Sequence, residues 1–108
     1  MRNYRGKKVE QFLEMLIAER GASQNTCISY LNDLTNFDKF LSGAEASLEA
    51  ATTDDVRRYL QHRSEAGANS PTISRNLSVL RQFFKFLQSE NVRLDNPALN
   101  VDGPKAVS

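Results

Sequence analysis

The stretch from Ser70 to Ser89, SPTISRNLSVLRQFFKFLQS, constrains this chain more than any other. Wound at about 100° per residue, it sorts into two faces. Ile73, Leu77, Leu80, Phe84 and Leu87 form one stripe, with Phe83 at its edge. Ser74, Ser78, Arg81, Gln82 and Lys85 fall opposite, with Arg75 on the flank. That second face carries cations, hydroxyls and an amide but no carboxylate. A face meant only for water usually mixes signs, because i, i+4 acid–base pairs support a helix cheaply. Donors and positive charge without acid suit a polyanion, of which DNA is the commonest. A plain solvated face on a core helix accounts for the same pattern from periodicity alone.

At 108 residues the chain is the length of one domain with a modest core. Its apolar fraction of 40% and charged fraction of 25% are those of an ordinary soluble globular chain. The net charge is only +1, so the whole chain is no polycation. The signs are segregated, however. Arg2, Arg5, Lys7 and Lys8 crowd the N-terminus, and Glu45, Glu49, Asp54 and Asp55 form an acidic block mid-chain, followed by Arg57, Arg58 and Arg63. A neutral total with separated signs allows one basic and one acidic surface. The lone Cys27 excludes an internal disulfide and a cysteine-based zinc site within one chain. No apolar run approaches membrane-spanning length and no apolar signal segment opens the chain, so a cytoplasmic protein without membrane contact is expected.

In chain order, residues 1–8 read as a basic N-terminal arm, able to reach DNA but more often a solubilising tail. Helix one is expected over Lys7–Arg20, with Val9, Phe12, Leu13, Leu16 and Ile17 inward, Glu10, Glu14 and Glu19 outward, and Gly21 as its stop. Helix two begins after Ser23, a good N-cap, and runs to about Leu41. Cys27, Tyr30, Leu31, Leu34, Phe37 and Leu41 make its buried stripe, and Ile28, Ser29, Asn32, Thr35, Asn36 and Lys39 its outer face. Ile28 is either a lone exposed aliphatic or a contact for a thymine methyl. Residues 43–51 form a loop pinned by Leu48. Helix three opens at Thr52 or Thr53, where Thr52 and Asp55 have capping-box spacing, buries Val56, Tyr59 and Leu60, and ends at Gly67. Pro71 suits the first turn of the Ser70–Ser89 helix. Residues 91–108, with Asn96-Pro97 and Gly103-Pro104, lose periodicity and read as an ending plus a linker. The expected core is Leu13, Leu16, Tyr30, Leu34, Phe37, Leu60, Leu77, Leu80 and Phe84, and the expected fold is all-α with no strand.

No catalytic constellation is present: no Gly-rich phosphate loop, no histidine pair and no triad. His62 is the only histidine and reads as a surface residue rather than a ligand or base. Tyr30 and Tyr59 lie on apolar stripes, where packing explains them. No metal and no cofactor is expected.

Three pieces of this sequence resemble a known family. Ser23-Gln24-Asn25-Thr26, then Tyr30, then Asp33-Leu34 resembles the S-x-N-T-x-x-x-Y-x-x-D-L signature of tyrosine recombinases. Thr72-Ile73, Arg75, Leu77-Ser78, Leu80-Arg81, Phe83-Phe84 and Phe86-Leu87 resemble the family's fourth helix, and Asp95-Asn96-Pro97-Ala98 its D-N-P-A. From about Val9 onward the chain is similar to the N-terminal core-binding domain of a Xer-type recombinase or phage integrase. The resemblance implies a four-helix SAM-like bundle over residues 9–98, with 99–108 as the start of a linker to a catalytic domain that this chain does not contain. It implies double-stranded DNA as the partner, gripped at a recombination half-site by the second and fourth helices. Further implied partners are the protein's own C-terminal catalytic domain and other recombinase subunits assembled on DNA. One departure is Pro71, where family members often carry Arg or Lys, and it shifts the expected readout onto Arg75.

The candidate contacts are therefore Ser23, Thr26, Ile28, Ser29 and Asn32 on the second helix, and Ser70, Thr72, Ser74, Arg75, Ser78, Arg81 and Lys85 on the fourth. Helix N-termini with Ser23, Thr26, Ser70 and Thr72 can bond phosphates, and Arg75 can reach a guanine or a phosphate. The competing reading is a helical protein–protein interaction module with no direct DNA contact.

Overall fold

A computed structural model describes residues 6–42 and 47–104. Local chemistry sets the ends of each helix. α1 spans Lys7–Arg20 and stops at Gly21, whose φ of 63° places it in the left-handed region that favours glycine. α2 spans Gln24–Ser42, one residue beyond the expected end, and is capped by Ser23, whose Oγ accepts the Thr26 N–H at 3.1 Å. α3 spans Thr53–Glu65. Its capping box is formed as the spacing predicts: the Asp55 N–H donates to Thr52 Oγ1 at 3.1 Å, and the Thr52 N–H donates to Asp55 Oδ2 at 2.9 Å. Burial pulls the Asp55 carboxyl upward, but hydrogen bonds from Thr52 and Arg58 outweigh it and hold the group below its ordinary value. α4 spans Ser70–Ser89, with Asn69 accepting the Thr72 N–H at 3.0 Å. It ends in a Schellman turn with Asn91 at φ 59° in the place glycine more often takes, and the Val92 N–H returns to Leu87 O.

α4 is the central helix, and α1, α2 and α3 all pack against it. The expected stripe of Ile73, Leu77, Leu80, Phe84 and Leu87 is buried, but so are Val79, Phe83 and Phe86. Three covering helices bury a wider arc than one stripe, so Phe83 lies in the core rather than at its edge. Phe12 of α1 meets Phe83 and Phe86 with ring centroids 5.5 and 5.7 Å apart, and Phe37 of α2 meets Tyr59 of α3 at 5.0 Å. Leu48 pins the α2–α3 connection as expected. Leu13 and Tyr30, expected in the core, are only partly buried. Ile17, expected inward, is 54% exposed. α1 turns only Val9, Phe12 and Leu16 fully inward, and Ile17 stands about 100° past Leu16, off that narrow stripe.

The end of the chain differs most from its sequence reading. Residues 95–101, expected to lead into a linker from position 99, form a strap on the bundle with Pro97, Ala98 and Val101 buried. Arg81 of α4 holds the strap by donating from Nε to Ala98 O at 3.0 Å and from Nη2 to Val101 O. Asn96 closes it from the other side, donating to Arg81 O and accepting the Ala98 N–H. Arg93 ties the same end to the α2–α3 connection through Glu49 O and Ala51 O, pairs with Asp95, and lies over the Phe84 ring.

Candidate nucleic-acid interface

One ion pair organises the outer side of α2 and α4. Asp33 is nearly fully buried on α2, and Arg75 of α4 donates to both its oxygens, Nε to Oδ2 at 3.1 Å and Nη2 to Oδ1 at 3.0 Å. Hydrogen bonding and charge from Asp33 push the Arg75 guanidinium above its ordinary value. On α2, Ser29 and Asn32 sit four and one residues before Asp33, and both are exposed. On α4, Ser74 and Ser78 flank Arg75 and are exposed as well. The pair thus draws two exposed polar faces side by side, with Ile28 49% exposed beyond them. The sequence around Arg75 gives no sign of this acid, since Asp33 arrives from 42 residues earlier.

The remaining candidates scatter. Ser23 is exposed and Thr26 half-buried, and the Ser23 cap already uses the Thr26 amide. Ser70 is exposed at the start of α4, while Asn69 occupies the Thr72 amide. The first turns therefore offer fewer open N–H groups than the helix starts alone imply. Arg81 is half-buried and turned toward the strap, whose carbonyls take its Nε and Nη2 donors. Lys85 is exposed, but it lines a groove with Glu19 and Arg20 of α1 and with Glu90. The face of α4 that lacks acid in sequence is thus bordered by acid in space at two places, Asp33 and the Glu19–Glu90 groove.

Gln82, on the same polar face, is a connector between three helices. It accepts from Arg20 of α1 at 2.7 Å and donates to Tyr30 of α2 at 3.2 Å. Tyr59 is buried, and burial pushes its phenol up to about 12, so it remains a neutral packing group near pH 7. His62 is exposed with its ring 5.3 Å from that of Phe40. Among the described residues no cluster of three or more acids, histidines or cysteines could hold a metal, and no helix is long and apolar enough to cross a membrane. Of the basic arm, residues 1–5 lie outside the described residues. Lys7 and Lys8 belong to α1, where Lys8 donates to Gln11.

Residues 9–91 match the family described as phage integrase, N-terminal SAM-like domain. The chain belongs to that family. It is 46% identical to the tyrosine recombinase XerD of Rhizobium meliloti over 97 residues, which are 90% of this chain and 31% of the relative. It is 43% identical to that of Agrobacterium fabrum over 100 residues, 93% and 30% of the two chains. The XerD of Chlorobaculum tepidum is 40% identical over 99 residues, 92% and 33%. The chain spans about a third of the length of the curated relatives it matches. No solved structure matches it. The four-helix, SAM-like expectation thus holds for this integrase domain in both fold and family.

Sequence reading missed Asp33, Asn76, Arg93 and Asn96 as structural residues of the domain. Asn76 is buried on α4 and accepts from Arg63 Nε at 3.3 Å. For Asp33 a signal existed: an acid beside Leu34 at the edge of an apolar stripe requires a partner.

Proposed function

We propose that this chain is the core-binding domain of a site-specific tyrosine recombinase. It grips a recombination half-site in double-stranded DNA through α2 and α4. A catalytic domain of the same protein then cuts and rejoins the strands. The observation that carries this reading is the joined face of Ser29, Asn32, Ser74, Arg75 and Ser78, in a chain whose relatives bear the name tyrosine recombinase. Thr26, Ser23, Ser70 and Thr72 then serve as backbone-positioning contacts, and Arg75 as the base-edge contact. Arg81 is assigned to the strap and not to DNA. The chain itself contributes position and no chemistry, so it should neither cleave nor join DNA. Other recombinase subunits are the expected partners in the assembled complex.

A mobility-shift titration with random duplex at low and moderate salt tests the reading. Binding that weakens steeply with salt is expected. No shift at low salt would favour the protein-interaction reading. That reading has one observation of its own, an apolar groove between α1 and α2 lined by Val9, Leu13, Cys27, Ile28 and Leu31.

A further inference from the structure

Asp33 retains only 4% of its side-chain exposure, whereas Arg75 retains 51%. The carboxylate is buried, and its partner stands half in water. The pairing is side-on: Nε and Nη2 of Arg75 are both committed to Asp33. Nη1 has no hydrogen-bond partner among the described residues, and Nη2 has a second hydrogen to give. A guanidinium is planar and rigid, so fixing one edge fixes the other. The edge left over is the end-on fork of Nη1 and Nη2, two parallel donors on the exposed part of the side chain.

Two consequences follow from the chemistry. The long Arg75 side chain is already ordered, so a ligand that meets the fork does not bear that ordering cost. The Asp33 charge also offsets the Arg75 charge at close range, which weakens the pull on phosphates at a distance but leaves the donor geometry intact. An arginine held this way adds little to sequence-independent attraction. It discriminates by direction, and the acceptor pair that a two-donor fork fits on a base edge is O6 and N7 of guanine.

We propose that Asp33 is a positioning residue for sequence discrimination, holding Arg75 side-on so that its free fork reads a guanine edge and keeping it from acting as a general phosphate clamp. This rests on the DNA-contact reading above and assigns the specificity of that face to a residue that is itself out of reach of DNA.

The test uses the chain with a duplex library randomised over its central segment. Bound duplexes are sequenced, and the affinity of the most enriched duplex is divided by that of the unselected pool at several salt concentrations. Asp33→Asn keeps the shape and removes the charge. The ratio should fall roughly tenfold, within the range of a lost bidentate base contact. Pool affinity should hold or rise, and its salt dependence should steepen by about one unit of slope as one cation is released. Arg75→Lys keeps the charge without the fork and should lose a similar factor in the ratio. The double variant should lose no more than either single one, since the two residues act through one contact.

A structural role for Asp33 alone would lower both affinities together and leave the ratio intact, which overturns the proposal. So does an Arg75→Lys variant with an unchanged ratio, the behaviour of a phosphate contact, and this arm decides the matter even where Asp33→Asn fails to fold. Losses that add in the double variant overturn it too. A parent chain that enriches no sequence and shows no salt-sensitive binding overturns the DNA reading itself, and the positioning role with it. Enrichment kept by both parent and Asp33→Asn overturns only the positioning role.

Discussion

The two halves of α4 began from the same pattern and ended differently. Residues 70–78 and residues 81–89 each place an arginine among small polar groups and carry no acid. In the first half Arg75 meets a buried carboxylate from α2 and keeps half its surface in water. In the second half Arg81 meets two carbonyls of the strap and is drawn onto the bundle. A helical wheel ranks both arginines as outward. What separates them is the chemistry brought alongside by other segments: a charge beside one, neutral backbone beside the other. A cation on a polar face is therefore a candidate for an external ligand only after its internal partners have been counted.

The largest effect should come from the core residue between the two halves. Leu80 is fully buried near the middle of α4, and Leu80→Ala should destabilise the chain by about 2–5 kcal/mol. An unchanged denaturation midpoint would mean that neither half sits on the core described here. Next comes Arg75→Ala, which strands the Asp33 carboxylate. A fully buried pair broken this way loses about 3–5 kcal/mol, and partial exposure of Arg75 should reduce that to about 2–3. Arg81→Ala should cost less, about 1–2 kcal/mol, because the carbonyls it leaves can turn to water. Its distinctive mark should be faster amide exchange at Ala98 and Val101, with the rest of α4 protected. If Arg81→Ala proves the more damaging of the two, the contrast between charge and carbonyl is wrong.

The smallest effect separates the halves by pH. Hydrogen bonds from Arg93 hold the Asp95 carboxyl, at the head of the strap, below its ordinary value of 3.8. A carboxyl lowered on folding stabilises the fold above its unfolded value, and the contribution disappears as pH falls through the lowered one. Asp95→Asn should therefore lower the unfolding midpoint slightly at neutral pH. The gap from the parent chain should close below about pH 3.8, the ordinary value from which Asp95 is lowered. A gap that persists in acid would remove Arg93–Asp95 from the strap's support.

Helix positions were legible because they depend on near neighbours. Ser23, the Thr52–Asp55 box, Gly21 and Pro71 act within a turn of where they stand, and each ends or begins a helix as its chemistry dictates. The apolar stripe of α4 was legible for the same reason, although its width was not: Phe83 and Phe86 are buried by helices whose placement no single-helix period encodes. The candidate face was legible in part. Ser29, Asn32, Ser74 and Ser78 are exposed as their wheel positions imply. The surroundings of Arg81 and Lys85 were not legible, since the strap and the end of α1 reach them from elsewhere in the chain. The strap was illegible as structure because it has no period to detect. Arginine side chains and one asparagine hold it on backbone carbonyls, and a carbonyl is present at every position of any sequence.

Arg93 has a consequence for the order in which the molecule assembles. Its donors reach Glu49 O and Ala51 O, 44 and 42 residues earlier. Both acceptors lie in a connection whose place is set only when α2 and α3 have come together. Its guanidinium also covers Phe84, whose ring is in place only once α4 has docked. Bringing such distant points together loses chain entropy before any contact is gained. The strap should therefore close after the four helices have met, with its bonds absent from the folding transition state. Weakening it by Arg93→Ala should leave the refolding rate nearly untouched and speed unfolding instead, which stopped-flow refolding and unfolding rates would check.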